Sequence, residues 1–269
     1  MIKLLVLDLD GTLLDHGFLP EEWQKRLLEL QQSGIKLMLA TGRNPEDASC
    51  YVQALQVKEN GGAVAFSDGQ YLMDYADGVY TEFAFLEFPK VVTEAGKLTE
   101  LPDPILMFGK QGDYRVFRSA CSLRYLKERI RHVLRKGKTQ LLLRGDPKRI
   151  ADIDKLAVLP GTAGFDPDRL REAYEVTYES AKKRYEIKHK GVHKGNAVRA
   201  IQEKYGCKQH EVAVFGNDEN DIRMLEQYEN SYVVANAAEN VREKARHVLP
   251  QRDGRPDIMG AIENLLKEG

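Results

Sequence analysis

Residues 2–7, Ile-Lys-Leu-Leu-Val-Leu, are apolar but for one lysine, and the run stops at Asp8. A strand with one wet face alternates apolar and polar residues, whereas a continuous apolar run belongs to a strand covered on both faces of a parallel sheet. The following residues extend that reading. Residues 21–32 place Trp23, Leu27, Leu28 and Leu30 at roughly helical spacing and end at Ser33-Gly34, a helix-stop signal. Residues 35–40 are a second apolar run, followed at once by Thr41-Gly42-Arg43. Pro45 stands where a helix opens, and residues 46–55 continue it. Strand, helix, strand, helix in that order implies a parallel sheet with right-handed crossovers. The same rhythm returns near the other end, with helices at 191–205, 219–228 and 238–246 and strands at 211–215 and 231–235. The expected fold class is α/β, with a Rossmann-like, doubly wound parallel-sheet core.

Between these halves the pattern changes. Residues 104–109 and 114–118 read as strands around a hairpin-like turn, Gly109 to Asp113. A basic helix at 122–135, a strand at 139–144, a helix opened by Asp146-Pro147 and a strand at 174–180 follow. The predicted organisation is a core of residues 1–83 and 185–269 with an α+β insert at 84–184. That insert holds 21 Lys+Arg and 14 Asp+Glu, a net of +7, so the remainder carries −8. A basic insert beside an acidic core suits an anionic ligand bound near a metal. Arg124, Lys127, Arg131 and Arg135 read equally well as a solvated helix face.

Composition excludes several classes. Forty basic and forty-one acidic residues leave a charge of −1, without the basic excess of a general nucleic-acid binder. Three widely spaced cysteines form no CxxC, so neither a disulfide scaffold nor a cysteine zinc cluster is expected. No apolar run reaches the ~18–20 residues that cross a bilayer, and the start turns acidic too soon for a signal peptide. The expected location is cytoplasmic, with no membrane or nucleic-acid partner. Oligomeric state leaves no mark in the sequence.

Asp8-Leu9-Asp10-Gly11-Thr12 directly follows the first strand. Ligands of open α/β sheets bind at the carboxyl ends of the strands, so both aspartates are placed in that crevice. Two carboxylates one residue apart can divide labour, one attacking or binding metal and the other exchanging protons. Thr41 ends the second strand, and Lys194 opens a helix. Gly216-Asn217-Asp218-Glu219-Asn220-Asp221 follows a later strand and concentrates oxygen ligands suited to magnesium. Each alone passes for a cap or turn. All four in order, each at a strand end or helix start, do not.

With these motifs the chain resembles the haloacid dehalogenase superfamily of phosphotransferases, and within it the Cof-type phosphatases, whose C2 α/β cap is inserted between the second and third motifs. The likeness extends through Val233-Val234-Ala235-Asn236-Ala237-Ala238-Glu239-Asn240-Val241. It implies a Mg²⁺-dependent phosphatase for a small phosphorylated metabolite, a sugar phosphate or a phosphorylated cofactor. Asp8 is then the nucleophile, forming an aspartyl-phosphate, and Asp10 the general acid and base. Thr41 and Lys194 hold the phosphoryl group, with Leu9, Asp10, Gly42, Arg43 and Asn220 around it, and Arg43 reads equally as a brace for the loop. Asp8, Asp10, Asn217 and Asp221 make the metal site. Asn217 departs from the family, which commonly has Asp there, and Asp218 is the alternative ligand if the loop slips by one residue. A phosphomutase and a non-enzymatic phospholigand-binding module are the competing functions. His189 and His193 are four apart with Gly191 between them and are not read as metal ligands, and Phe83, Phe85 and Phe88 are read as packing.

Overall fold

The first apolar run forms β1 (Leu4–Leu7), every residue of it buried. In the computed structural model, which describes residues 1–86, 105–109, 112–117, 126–127, 129, 140–143, 152–160, 165–180, 182–252 and 254–268, the next element is α1 (Glu21–Gln32). It buries Trp23, Leu27 and Leu30, as their spacing requires. Then come β2 (Lys36–Ala40) and α2 (Pro45–Ala54). The Asn44 side chain accepts the Asp47 N–H at 2.8 Å, and Pro45 fills the first helical position. Strands β3 (Ala63–Phe66), β4 (Tyr71–Asp74) and β5 (Val79–Glu82) follow.

Among the described residues there follow β6 (Ile105–Gly109), β7 (Gly112–Phe117), β8 (Gln140–Leu143), β9 (Ile153–Val158), α3 (Pro167–Leu170), β10 (Tyr174–Glu179) and β11 (Arg184–His189). The chain closes with α4 (Lys194–Lys204), β12 (Val212–Gly216), α5 (Ile222–Leu225), β13 (Asn230–Val234), α6 (Glu239–Arg242), β14 (His247–Leu249) and α7 (Ile258–Glu268). Among the described residues no helix is long and apolar enough to cross a membrane.

Contacts divide the chain into two units, Met1–Phe83 with His193–Gly269, and Ala84–Val192. The first holds an eight-stranded sheet in the order β14-β13-β12-β1-β2-β3-β4-β5. Every pairing from β14 to β3 is parallel, and β4 and β5 append an antiparallel edge. Leu4 and Val6 pack in one core cluster with Val198 and Ile201 of α4 and Met224 and Leu225 of α5. Leu5 and Leu7, pointing to the opposite face, are equally buried. This is the α/β parallel-sheet core that the apolar runs predict.

Among its described residues the second unit holds a six-stranded sheet, order β10-β11-β9-β6-β7-β8, antiparallel except for the β7–β8 pair. Its core gathers Leu86, Met107, Tyr114, Leu156, Val176 and Ile187. The unit runs to Val192 rather than 184, because β11 pairs with β10 and β9 and so belongs to this sheet. Other expectations shift too. The helix expected from 191 starts at Lys194, since Gly191 has φ 83° and His193 is an extended N-cap. The helix expected over 238–246 ends at Arg242, and that expected over 219–228 is a 3₁₀ turn followed by the short α5. Strands β3, β4, β5, β9 and β11 extend the sequence reading. The helix at Asp146-Pro147 and Cys121 lie outside the described residues, as does the 122–135 helix except for Leu126, Lys127 and Arg129, which are helical.

Candidate active site

The carboxyl ends of β1, β2, β3 and β12 are neighbours in the sheet, so the segments that follow them meet. Asp8 leaves β1 with its N–H donated to the Phe215 carbonyl of β12 at 3.1 Å. Its carboxylate is buried, and Lys194 Nζ donates to its Oδ1 at 2.6 Å. The same ammonium donates to Asp221 Oδ1 at 2.7 Å. Lys194 is wholly buried at the first turn of α4. Burial alone would lower its pKa, but Asp221, Asp8 and Asp68 outweigh that and hold it raised, so the lysine stays charged. Asp8 is pushed up to about 7, by burial first and by Asp221 next, against the pull of Lys194.

Both carboxylate oxygens of Asp221 accept hydrogen bonds. Beyond Lys194, its Oδ2 accepts the backbone N–H groups of Asn217 at 2.8 Å and Asp218 at 3.1 Å. Its carboxylate therefore shapes the loop after β12. A side chain on Gly216 would put a Cβ 2.6 Å from that of Asp221, so the loop closes this tightly only on glycine. Asp218 turns aside to accept the Glu219 N–H at 2.9 Å.

Asn217 is the loop residue that faces Asp8 and Asp10. One terminal atom of its carboxamide lies 3.1 Å from Asp8 Oδ2 and 3.1 Å from the Asp10 carbonyl oxygen. As an amide nitrogen, that atom donates to both. As an oxygen, it leaves three acceptors facing one another, the arrangement a cation resolves. Neighbouring ligands of an octahedral ion at ~2.1 Å stand about 3.0 Å apart, so the spacing suits a small hard dication. Charge agrees: Asp8, Asp68 and Asp221 surround the single ammonium of Lys194. The donor set is one carboxylate, one backbone carbonyl and one carboxamide, and no three acidic, histidine or cysteine side chains form a metal cluster among the described residues. Gly11 makes this approach feasible, since its φ is 85° and a Cβ there would collide with the Asn217 amide.

The remaining predicted residues take varied places. Thr41 is buried, and its Oγ1 accepts the Arg43 N–H at 3.1 Å. Leu9 is buried, and its carbonyl accepts the Thr12 and Leu14 N–H groups. Asn220 Nδ2 donates to Asp68 Oδ1 at 2.7 Å, while Asn220 Oδ1 is buried without a hydrogen bond. Arg43 is the residue for which substrate contact and bracing of the loop are both expected. It grips Asp10 with two parallel hydrogen bonds, Nε to Oδ2 at 2.7 Å and Nη2 to Oδ1 at 2.6 Å. Those bonds hold the Arg43 pKa above its usual value. His193 caps α4, its Nδ1 accepting the Asn196 N–H at 3.2 Å.

Asp68 went unread in the sequence. It is buried at the end of β3 with φ 58°, beside Gly42 and Asn220. The signal was present, an apolar run Ala63–Phe66 followed by Ser67-Asp68-Gly69, which repeats the grammar of β1 and Asp8.

Comparison with known proteins gives this geometry a family. The haloacid dehalogenase-like hydrolase profile matches residues 5–92 and 160–254. YxeH of Bacillus subtilis (strain 168) is 29% identical over 91% of this chain and 92% of its own. The 5-amino-6-(5-phospho-D-ribitylamino)uracil phosphatase YbjI of Escherichia coli (strain K12) is 25% identical over 99% of this chain and 97% of its own. The solved structure of the subclass IIB sugar phosphatase BT4131 superposes with a TM-score of 0.70 at 18% identity, covering 99% of this chain and 98% of that one. With paired aspartates closing the central strand, a buried lysine across from them and a family match over both halves of the core, the chain belongs to the haloacid dehalogenase-like hydrolases of the Cof type.

Proposed function

We propose that this chain is a Mg²⁺-dependent phosphatase of the cytoplasm that cleaves a small phosphorylated metabolite, a sugar phosphate or a phosphorylated cofactor, through an aspartyl-phosphate on Asp8. The observation that carries the reading is the buried Asp8 carboxylate, 2.6 Å from a charged lysine at the end of the central strand. A carboxylate so placed has little structural reason to exist, since burial opposes its charge. As a nucleophile it has one.

In this reading Asp8 attacks phosphorus and the ester oxygen leaves with a proton from Asp10. Water then attacks the phosphoryl group, gives its proton to Asp10, and Asp8 is regenerated. Lys194 stays protonated throughout and offsets the charge that gathers on the phosphoryl oxygens. Thr41 and Gly42 line the loop that receives those oxygens, and Asp221 fixes Lys194 and the 217–218 backbone. A magnesium ion held by the Asp8 carboxylate, the Asp10 carbonyl and the Asn217 side-chain oxygen would supply further neutralisation of the phosphoryl charge. The unit Ala84–Val192 is the proposed cap that selects the substrate. The names of YbjI and BT4131 support a phosphorylated polyol or sugar.

A panel of phosphate esters assayed for free phosphate with Mg²⁺ tests this. The wild type should release phosphate from a subset of the panel, and Asp8→Asn should lose about 10²–10⁴-fold or more while keeping its circular dichroism spectrum. Isomerised ester without free phosphate would mark a mutase. Binding without turnover would mark a ligand-binding module.

A further inference from the structure

Arg43 is held as firmly as it holds. Besides gripping Asp10, its Nη1 donates to the Asp47 carbonyl at 3.3 Å, so all three of its nitrogens are engaged. Its guanidinium carbon sits 4.8 Å from the centre of the Tyr51 ring, within reach of a cation–π attraction. The Tyr51 hydroxyl donates to the Gly17 carbonyl at 2.8 Å. Gly17 belongs to a two-residue hairpin turn: Asp15 and Phe18 exchange both backbone bonds, at 2.9 and 2.8 Å, and His16 and Gly17 have φ 47° and 85°. Phe18 projects from that hairpin with 77% of its surface exposed. A chain of contacts thus runs from the hairpin through Tyr51 and Arg43 to the Asp10 carboxylate.

The Asp10 side chain is 56% exposed and, unheld, would sample several rotamers. With both oxygens accepting from Arg43, it is fixed in one orientation and offers its remaining lone pairs as acceptors. That suits a proton acceptor better than a proton donor. In the proposed reaction, the step that needs an acceptor is the second. There the water oxygen bonds to phosphorus as the bond from phosphorus to Asp8 breaks, and the water proton passes to Asp10. The geometry points to Arg43 and Tyr51 as positioning residues that hold Asp10 as the base for hydrolysis of the aspartyl-phosphate, Arg43 by its two-pronged grip and Tyr51 by seating Arg43. The inference rests on the aspartyl-phosphate reading and adds to it a half-reaction and two residues.

The test uses p-nitrophenyl phosphate, whose leaving group departs without a donated proton, so that kcat/KM reports the first step and kcat can report the second. Arg43→Ala should lower kcat and KM together, each about tenfold, leave kcat/KM near the wild-type value, and produce a burst of one nitrophenol per enzyme. Guanidinium ion added to Arg43→Ala should restore part of kcat. Arg43→Lys, which keeps the charge without the two-pronged geometry, should resemble Arg43→Ala. Tyr51→Leu should show the same split at about threefold. A raised KM with lowered kcat/KM would make Arg43 a phosphate-binding group and overturn the inference. Unchanged kinetics, or full activity in Arg43→Lys, would overturn it as well. Asp8→Asn, run in parallel, separates the two claims. If it still turns over, the aspartyl-phosphate reading fails. If it is dead while the Arg43 and Tyr51 variants show no split, only the positioning role fails.

Discussion

Asp8 is asked to be both buried and ionised, and the site shows how the conflict is handled. Burial raises its pKa to about 7, and Lys194 at 2.6 Å opposes the rise. The native chain therefore keeps a proton on Asp8 that the unfolded chain releases above about pH 4. Between there and about 7 unfolding gives up a proton, so stability falls as pH rises across that window and levels off beyond it. Denaturant midpoints taken in chelator should show this fall in the wild type relative to Asp8→Asn, which has nothing to titrate there. Asn217 lends itself to a second measurement. Calorimetric titration without substrate should find Mg²⁺ bound about tenfold more tightly by Asn217→Asp, on the ~1.4 kcal/mol scale of one added charge in a wet site, and more weakly by Asn217→Ala. Asp218→Ala should leave the affinity unchanged, since that carboxylate caps its own loop. Asp8, Asp10 and Lys194 could be read from the sequence because each stands at a fixed offset from a strand end or helix start. Asp68 could not be weighed that way, because its meaning comes from Asn220, 152 positions away. Nor could Arg43, whose partner is a choice between two anions that only geometry makes.

Elements with a strong period were legible, and α1 falls on the twelve residues that its apolar spacing marks. Strand β5 was not, since all four of its residues are exposed and leave no burial pattern to read. Its turn did carry a signal, Asp77-Gly78, with the Asp77 side chain accepting the Val79 N–H at 3.0 Å. That edge of the sheet is tied to the end of α4. Tyr205 donates to Asp74 Oδ1 at 2.8 Å, and Lys204 forms ion pairs with both Asp74 and Asp77. Burial and then Asp74 raise the Tyr205 pKa, which keeps it a donor. Since α4 begins at Lys194, its far end is anchored by this contact while its near end holds the site. Tyr205→Phe removes one of two donors to a buried carboxylate oxygen, the Ala76 N–H remaining at 2.9 Å, and should cost about 0.5–1.5 kcal/mol in denaturant unfolding, with little change in kcat.

At the scale of the whole molecule, the two units differ in how their sheets close. Among the described residues of Ala84–Val192 every strand pairs within the unit. That fragment alone should unfold in a single cooperative transition, followed by circular dichroism. Met1–Phe83 alone should show none, because β1 needs β12 at its other side. The pairing of β1 with β12 also sets a clock on synthesis. Leu4 of one strand pairs with Val212 of the other, and at about 5–20 residues per second a ribosome takes roughly 10–40 s to make the chain between them. For that interval β1 is an apolar edge that lacks one of its two partner strands, the kind of surface that chaperones cover and aggregates recruit. Slow codons placed within 84–192 would lengthen the wait without altering one residue of the product, and the soluble yield should fall as they accumulate. The centre of the sheet is made well before its last partner strand and is among the last parts of the core to be sealed.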